Sequence, residues 1–140
     1  WWNIVLNTLL MALFTNMMNL LDLRPGRAIK GYLLFLLLIA AAVLAEVDYL
    51  LLAPLLGAVL CYLPVDVKAR AMMGDAGSNV LGLALGVYAA SWLSLSARLA
   101  FLFFLIAIHL YTEKYSLTTT IENNKLLKAI DQLGRGKTND

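Results

Sequence analysis

The chain has 140 residues, of which 61% are hydrophobic and only 14% charged, with a mean hydropathy of +0.78 and a net charge of +2. A soluble domain is about half apolar and about a quarter charged. This composition therefore excludes an ordinary water-soluble fold and points to an all-α, polytopic membrane helical bundle. The basic residues cluster in the way membrane topology requires, which leaves nucleic-acid binding without support.

The sequence opens at Trp1, without a basic n-region or a small-residue cleavage site. It does not read as a secretory leader; it reads as an internal piece or truncation of something longer. Five hydrophobic segments follow, at about 1–21, 31–46, 48–64, 79–95 and 97–112. Several are short against the ~20 residues needed to cross the hydrocarbon core. Tight helical hairpins are expected at Glu46-Val47-Asp48 and at 94–98. The lone Cys61 lies mid-run and reads as a small apolar packing residue.

Charge placement orients the five-span arrangement. Arg24, Arg27 and Lys30 share one connection, Lys68 and Arg70 another, and Lys114, Lys125, Lys128, Arg135 and Lys137 follow the last span. Only Arg98 falls on the other side, with Glu46 and Asp48. The basic side is expected to be cytoplasmic, with Trp1, Trp2 and Trp92 near the opposite interface. Residues 1–112 then form a membrane domain and 113–140 a cytoplasmic tail. Asp22, Asp75 and the tail share one face.

Asn16, Asn19 and Asp22 recur every three residues at the end of the first segment, which keeps them on one broad helix face. Asparagine amides in an apolar helix need partners, either a neighbouring helix or a ligand. The run Met73-Gly74-Asp75-Ala76-Gly77-Ser78 lies between two apolar runs. Its glycines permit a turn and a close approach. Ser78 is placed to cap a helix starting near Asn79, and the amides and dipole at that terminus favour a diphosphate. Asp75 offers a hard oxygen to Mg²⁺, which commonly binds through one or two carboxylates and substrate phosphates. The ordinary alternative is a capped turn with a solvated aspartate.

Other features read more simply. Gly82 and Gly86 form a small-xxx-small pair, the usual sign of close helix packing. His109, the only histidine, is either a structural interfacial residue or a general base or phosphate ligand. Arg24, Arg27 and Lys30, beside the Pro25-Gly26 turn, are topology determinants and headgroup contacts, or one arginine grips a phosphate. In the tail, Thr119 and Glu122 are placed as a capping box. Leu126, Ile130 and Leu133 share a stripe suited to an interfacial amphipathic helix, ended by Gly134. No P-loop, dinucleotide fingerprint, zinc cluster or serine-hydrolase elbow occurs.

Asn16-Met-Met-Asn19-Leu-Leu-Asp22 resembles the N-x-x-N-x-x-D signature of the polyprenyl-phosphate N-acetylhexosamine-1-phosphate transferases, of glycosyltransferase family 4 type. Met72-Met73-Gly74-Asp75-Ala76-Gly77-Ser78 resembles their F-M-G-D-x-G-S signature. That family includes the bacterial phospho-N-acetylmuramoyl-pentapeptide transferase. The resemblance implies Mg²⁺-dependent transfer of a sugar-1-phosphate from a UDP-sugar to undecaprenyl phosphate. The setting would be the cytoplasmic face of a bacterial plasma membrane, in cell-wall or surface-polysaccharide synthesis. It implies that Asp75 is the metal ligand with Asn19 near the metal, and that Asp22 shapes the active site. Asn16, Gly77 and Ser78 would meet substrate, and Arg24 and Arg27, by their charge alone, are candidates to meet it as well. His109 corresponds to a histidine-bearing loop whose usual histidine cluster is absent here.

The sequence departs from the family pattern at Pro25, Met72 and Val65, where the resemblance expects an aspartate, an aromatic and an asparagine on the nucleotide side. Family members also have about ten spans and an earlier pair of adjacent aspartates. The chain thus resembles a C-terminal half, acting with a missing N-terminal half or as a homodimer. A non-catalytic homologue that binds polyprenyl phosphate or a partner subunit is the alternative. A small transporter coupled through Asp22 and Asp75 is a third reading, disfavoured because such carboxylates lie near the midplane.

Overall fold

The computed structural model describes residues 1–43 and 47–134, with seven helices and no strand among them. They are α1 (Trp2–Leu21), α2 (Arg27–Val43), α3 (Tyr49–Val67), α4 (Gly74–Trp92), α5 (Leu95–Lys114), α6 (Leu117–Asn123) and α7 (Lys125–Gln132). Glu46 lies outside the described residues. Three helices, α1, α3 and α5, are long and apolar enough to cross a membrane, against the five segments expected. The described part of α2 has 17 residues, and α4 carries polar residues and glycines in its opening turns.

Local chemistry sets the boundaries. The Asp22 amide closes α1 on Met18 O and Asn19 O. Gly26, at φ +75°, turns the chain directly into α2, so Arg27 and Lys30 lie in the first helical turns and not in a loop. Asp48 caps α3 by accepting the Leu50 and Leu51 amides. That helix continues through Pro64 to Val67. Ser94 caps α5 through the Ala97 amide at 3.4 Å.

Further expectations change. Helix α4 begins at Gly74, five residues before Asn79, because Gly74 takes φ +66° and starts the helix itself. Ser78 is consequently inside the helix and bonds to Gly74 O at 3.2 Å, not to a capped amide. The tail is two short helices: Ser116 caps α6, and Asn124 breaks the run and caps α7 through the Leu126 and Leu127 amides. Glu122 is drawn to Arg24 instead of completing a capping box. Cys61 is exposed on α3 and takes no part in the core.

The core is a seam between α1 and α4. Leu10, Phe14 and Met18 of α1 are fully buried, as are Leu85 and Ala89 of α4. A Cβ at Gly82 would lie 2.3 Å from Thr15 Cα, and one at Gly86 2.5 Å from Met11 Cα. The two helices therefore meet backbone to backbone, the packing that small residues permit in lipid. Phe14 then reaches Phe35 of α2 edge-on at 5.5 Å and Phe101 of α5 at 5.8 Å. Only Leu105 of α5 is buried. Exposed Leu37, Leu60, Val80 and Phe103 give the outside an apolar surface.

Polar contacts show the helices running alternately up and down. Ser78 meets Asn19, Gly26 meets Asp66, and Arg27 meets the tail that follows α5. At the other end, Arg98 donates to Asn7 and Tyr88 to Leu51 O.

Candidate functional site

The end of α1 and the start of α4 form the mouth of the seam. Asn19 is fixed there from both sides. Its amide donates to Asn79 Oδ1 at 2.8 Å, and its carbonyl oxygen accepts the Ser78 hydroxyl. Ser78 is fully buried. One turn earlier, Asn16 is exposed and makes no hydrogen bond among the described residues.

Asp22 follows Asn19 and comes close to the first turn of α4. Burial pushes its carboxyl above the ordinary value near 3.8, and repulsion from Asp66 and Asp75 adds to this. The Gly74 backbone amide beside it works in the opposite direction. Asp75 sits in that same first turn, where the helix dipole favours an anion. It is exposed, and its side chain makes no hydrogen bond or ion pair among the described residues. Gly74 has open space on its Cβ side. Gly77 is ordinary helix, and the Met73 side chain lies over it.

These features suit Mg²⁺. A hard cation that keeps waters and binds phosphates asks for one or two carboxylates, and an exposed, uncommitted Asp75 with Asp22 nearby meets that. Among the described residues no group of three or more His, Cys, Asp or Glu could hold a metal alone, so substrate oxygens would complete the shell. Asn19 Oδ1, already accepting from Ser78, retains a second lone pair.

The basic residues are placed elsewhere. Arg27 is 5% exposed and grips Asp131 of α7 with two bonds, Nε at 2.8 Å and Nη2 at 3.1 Å, and donates to Thr118 at 3.0 Å. Lys30 donates to Ile130 O and Asp131 O. Arg24 pairs with Glu122 at 3.1 Å on the surface. The tail thus takes up cations that the sequence offered to phosphate. His109 is not joined to Asp22 or Asp75 by any bond among the described residues. Its Nδ1 lies 2.7 Å from Leu105 O, and Nε2 is buried without a partner.

Sequence reasoning missed Asp66, Asn79 and Asp131. Asp66, 1% exposed, stands at the same end and accepts the Gly26 amide at 3.0 Å. Its signal was a lone acid closing the apolar run of α3. Asn79 had a signal too, as the second of two polar residues opening an apolar run. Asp131 had none, because its partner is 104 residues away.

Comparison with curated proteins and with solved structures gave no match. A family model, Glycosyl transferase family 4, matches residues 1–93, which hold α1 to α4, the seam and its mouth. The match covers Asn19, Asp22 and Asp75 together and stops before α5, so this helical, membrane-type chain belongs to glycosyl transferase family 4.

Proposed function

We propose that the chain carries the metal–diphosphate part of a Mg²⁺-dependent transferase. It would move a sugar-1-phosphate from a UDP-sugar to a polyprenyl phosphate such as undecaprenyl phosphate, with the mouth on the cytoplasmic face. Family membership supports a membrane glycosyl-phosphate transferase in general. The observation that carries the finer reading is the exposed, uncommitted Asp75 at the start of α4, facing the end of α1 where Asn19 and Asp22 are fixed.

In this reaction an oxygen of the lipid phosphate forms a bond to the β-phosphorus of the donor. The bond from that phosphorus to the bridging oxygen breaks, and the nucleoside monophosphate leaves. Asp75 would hold the metal, with Asn19 and Asp22 at its side. The bound cation supplies charge neutralisation on the diphosphate. Ser78 and Asn79 keep the Asn19 amide in one orientation, so the site is set before substrate arrives. The α4 amides add positive potential where phosphate oxygens would sit. Asp22, whose carboxyl burial pushes above its ordinary value, would orient a phosphate or pass a proton.

The test is Mg²⁺-dependent transfer from a radiolabelled UDP-N-acetylhexosamine to undecaprenyl phosphate in membranes containing the chain. Asp75→Asn is expected to lower transfer at least about 10²-fold with helical content unchanged. Equal activity in Asp75→Asn would overturn the assignment. A second reading, a non-catalytic homologue that binds polyprenyl phosphate or a partner subunit, draws on Pro25, Met72 and Val65 and on the engagement of Arg27 by the tail. Its outcome is a folded, lipid-binding chain without transfer.

A further inference from the structure

The proposed chemistry employs Asp22 and Asp75 and leaves Asp66 without a task. A carboxylate that is 1% exposed is costly to keep in a fold. Breaking a buried charge's contacts destabilises, whereas an apolar residue of similar volume is often as stable or more so. Packing alone therefore does not account for an acid here.

Its contacts suggest what does. Asp66 Oδ2 accepts the Gly26 amide at 3.0 Å, while Oδ1 is buried without a partner among the described residues. Gly26 has φ +75°, and a Cβ there would come within 2.7 Å of Val67 Cγ2. The turn after Asp22 is thus pressed directly onto the end of α3. From Asp66 the chain also bends toward α4. The Ala69 amide returns to Asp66 O at 2.9 Å, Ala69 itself takes φ +54°, and the Tyr62 hydroxyl holds Ala71 O at 3.1 Å. The Met73 amide and Lys30 are further electrostatic neighbours of the carboxylate. Asp66 accordingly stands where the connection carrying Asp22 meets the connection leading to Asp75.

We propose that Asp66 is a positioning residue: by accepting the Gly26 amide it holds the Asp22 turn against α3 and so sets the separation between Asp22 and the start of α4. The catalytic consequence rests on the transferase reading; the structural one does not. Asp66 touches neither proposed substrate and acts through Asp22. Misplacing a group by about 1 Å costs on the order of 10²-fold in rate.

The experiment uses the full chain in lipid with Cys61→Ala and nitroxide labels at Leu23→Cys and Ala76→Cys, two exposed positions flanking the mouth. Dipolar broadening reads their separation with Asp66, Asp66→Asn, Asp66→Ala and Asp66→Leu. Asn still presents an oxygen to Gly26 and is expected to keep the single narrow separation. Ala and Leu are expected to shift or broaden it. An unchanged separation in folded Ala or Leu chains overturns the inference, as does an Asn chain that behaves like Ala. If neither Ala nor Leu folds, Asp66→Glu takes their place: a displaced acceptor should shift the separation, and no shift overturns the inference. In transfer assays kcat should fall about 10²-fold in Ala with KM little changed, and Asn should restore it. A changed separation without any transfer in the unsubstituted chain would count against the transferase reading and leave the positioning role standing.

Discussion

The α1–α4 seam and the tail clamp hold this molecule together by opposite means. The seam is apolar and nearly featureless in charge: Gly82 and Gly86 admit the α1 backbone, and aromatic rings fill the flanks. The clamp is ionic. Asp131 and Glu122 of the tail reach across to Arg27 and Arg24. Lipid gives helices little hydrophobic reason to associate, so close packing must do so. At the end of the bundle, ion pairs join the tail to α2 and to the turn before it. The proposed site residues stand at the mouth of the seam, and the family match includes the seam but not the tail. A junction held by packing and a tail held by ion pairs are what this contrast describes.

The largest way to break the contrast is Gly82→Leu. The added side chain meets Thr15 backbone, which cannot move aside without parting the helices. Destabilisation of about 3 kcal/mol or more is expected, read as a lower denaturant midpoint of helical circular dichroism in detergent. Asp131→Ala should do less to the bundle and more to the tail. Leaving Arg27 buried without its carboxylate costs about 3–5 kcal/mol. Undocking α7 relieves that cost, so trypsin should cut at Lys125 and Lys128 much faster while the bundle's midpoint moves little. Arg24→Ala sharpens the point. Its pair with Glu122 is about half exposed on both sides, so a change below about 1 kcal/mol is expected, with no gain in cleavage.

The smallest effect concerns pH. The raised pKa of Asp22 means that the folded chain holds this proton more tightly than the unfolded chain. Its contribution to stability therefore declines as pH rises from the ordinary value near 3.8 through the raised one, and stays lost above it. Asp22→Asn should remove that slope and leave the chain slightly more stable at neutral pH. Denaturant midpoints from about pH 4 to 8 check this, and an unchanged slope would show that Asp22 is not the group responsible.

How much was legible follows from the range of each signal. The apolar runs announced helices because a membrane leaves the backbone few alternatives. The small-xxx-small pair announced a close seam because only a missing side chain allows one. Start points were less legible. A glycine with positive φ began α4 inside the motif, where a search for capping side chains put the start five residues later.

By itself, then, the sequence determined the helical, membrane-type character, the Gly82–Gly86 contact surface and the grouping of Asn19, Asp22 and Asp75 in one family pattern. These depend on residue type and short spacing, which local physics reads directly. Only the tertiary structure decided that Asn19 is held between Ser78 and Asn79, that Asp66 grips the Gly26 turn, and that Asp131 takes Arg27. Those pairings join residues 40 to 104 positions apart, and no local preference encodes them. The first exists because the α1–α4 seam brings those helix ends together, the other two because the start of α2 meets the end of α3 and the tail.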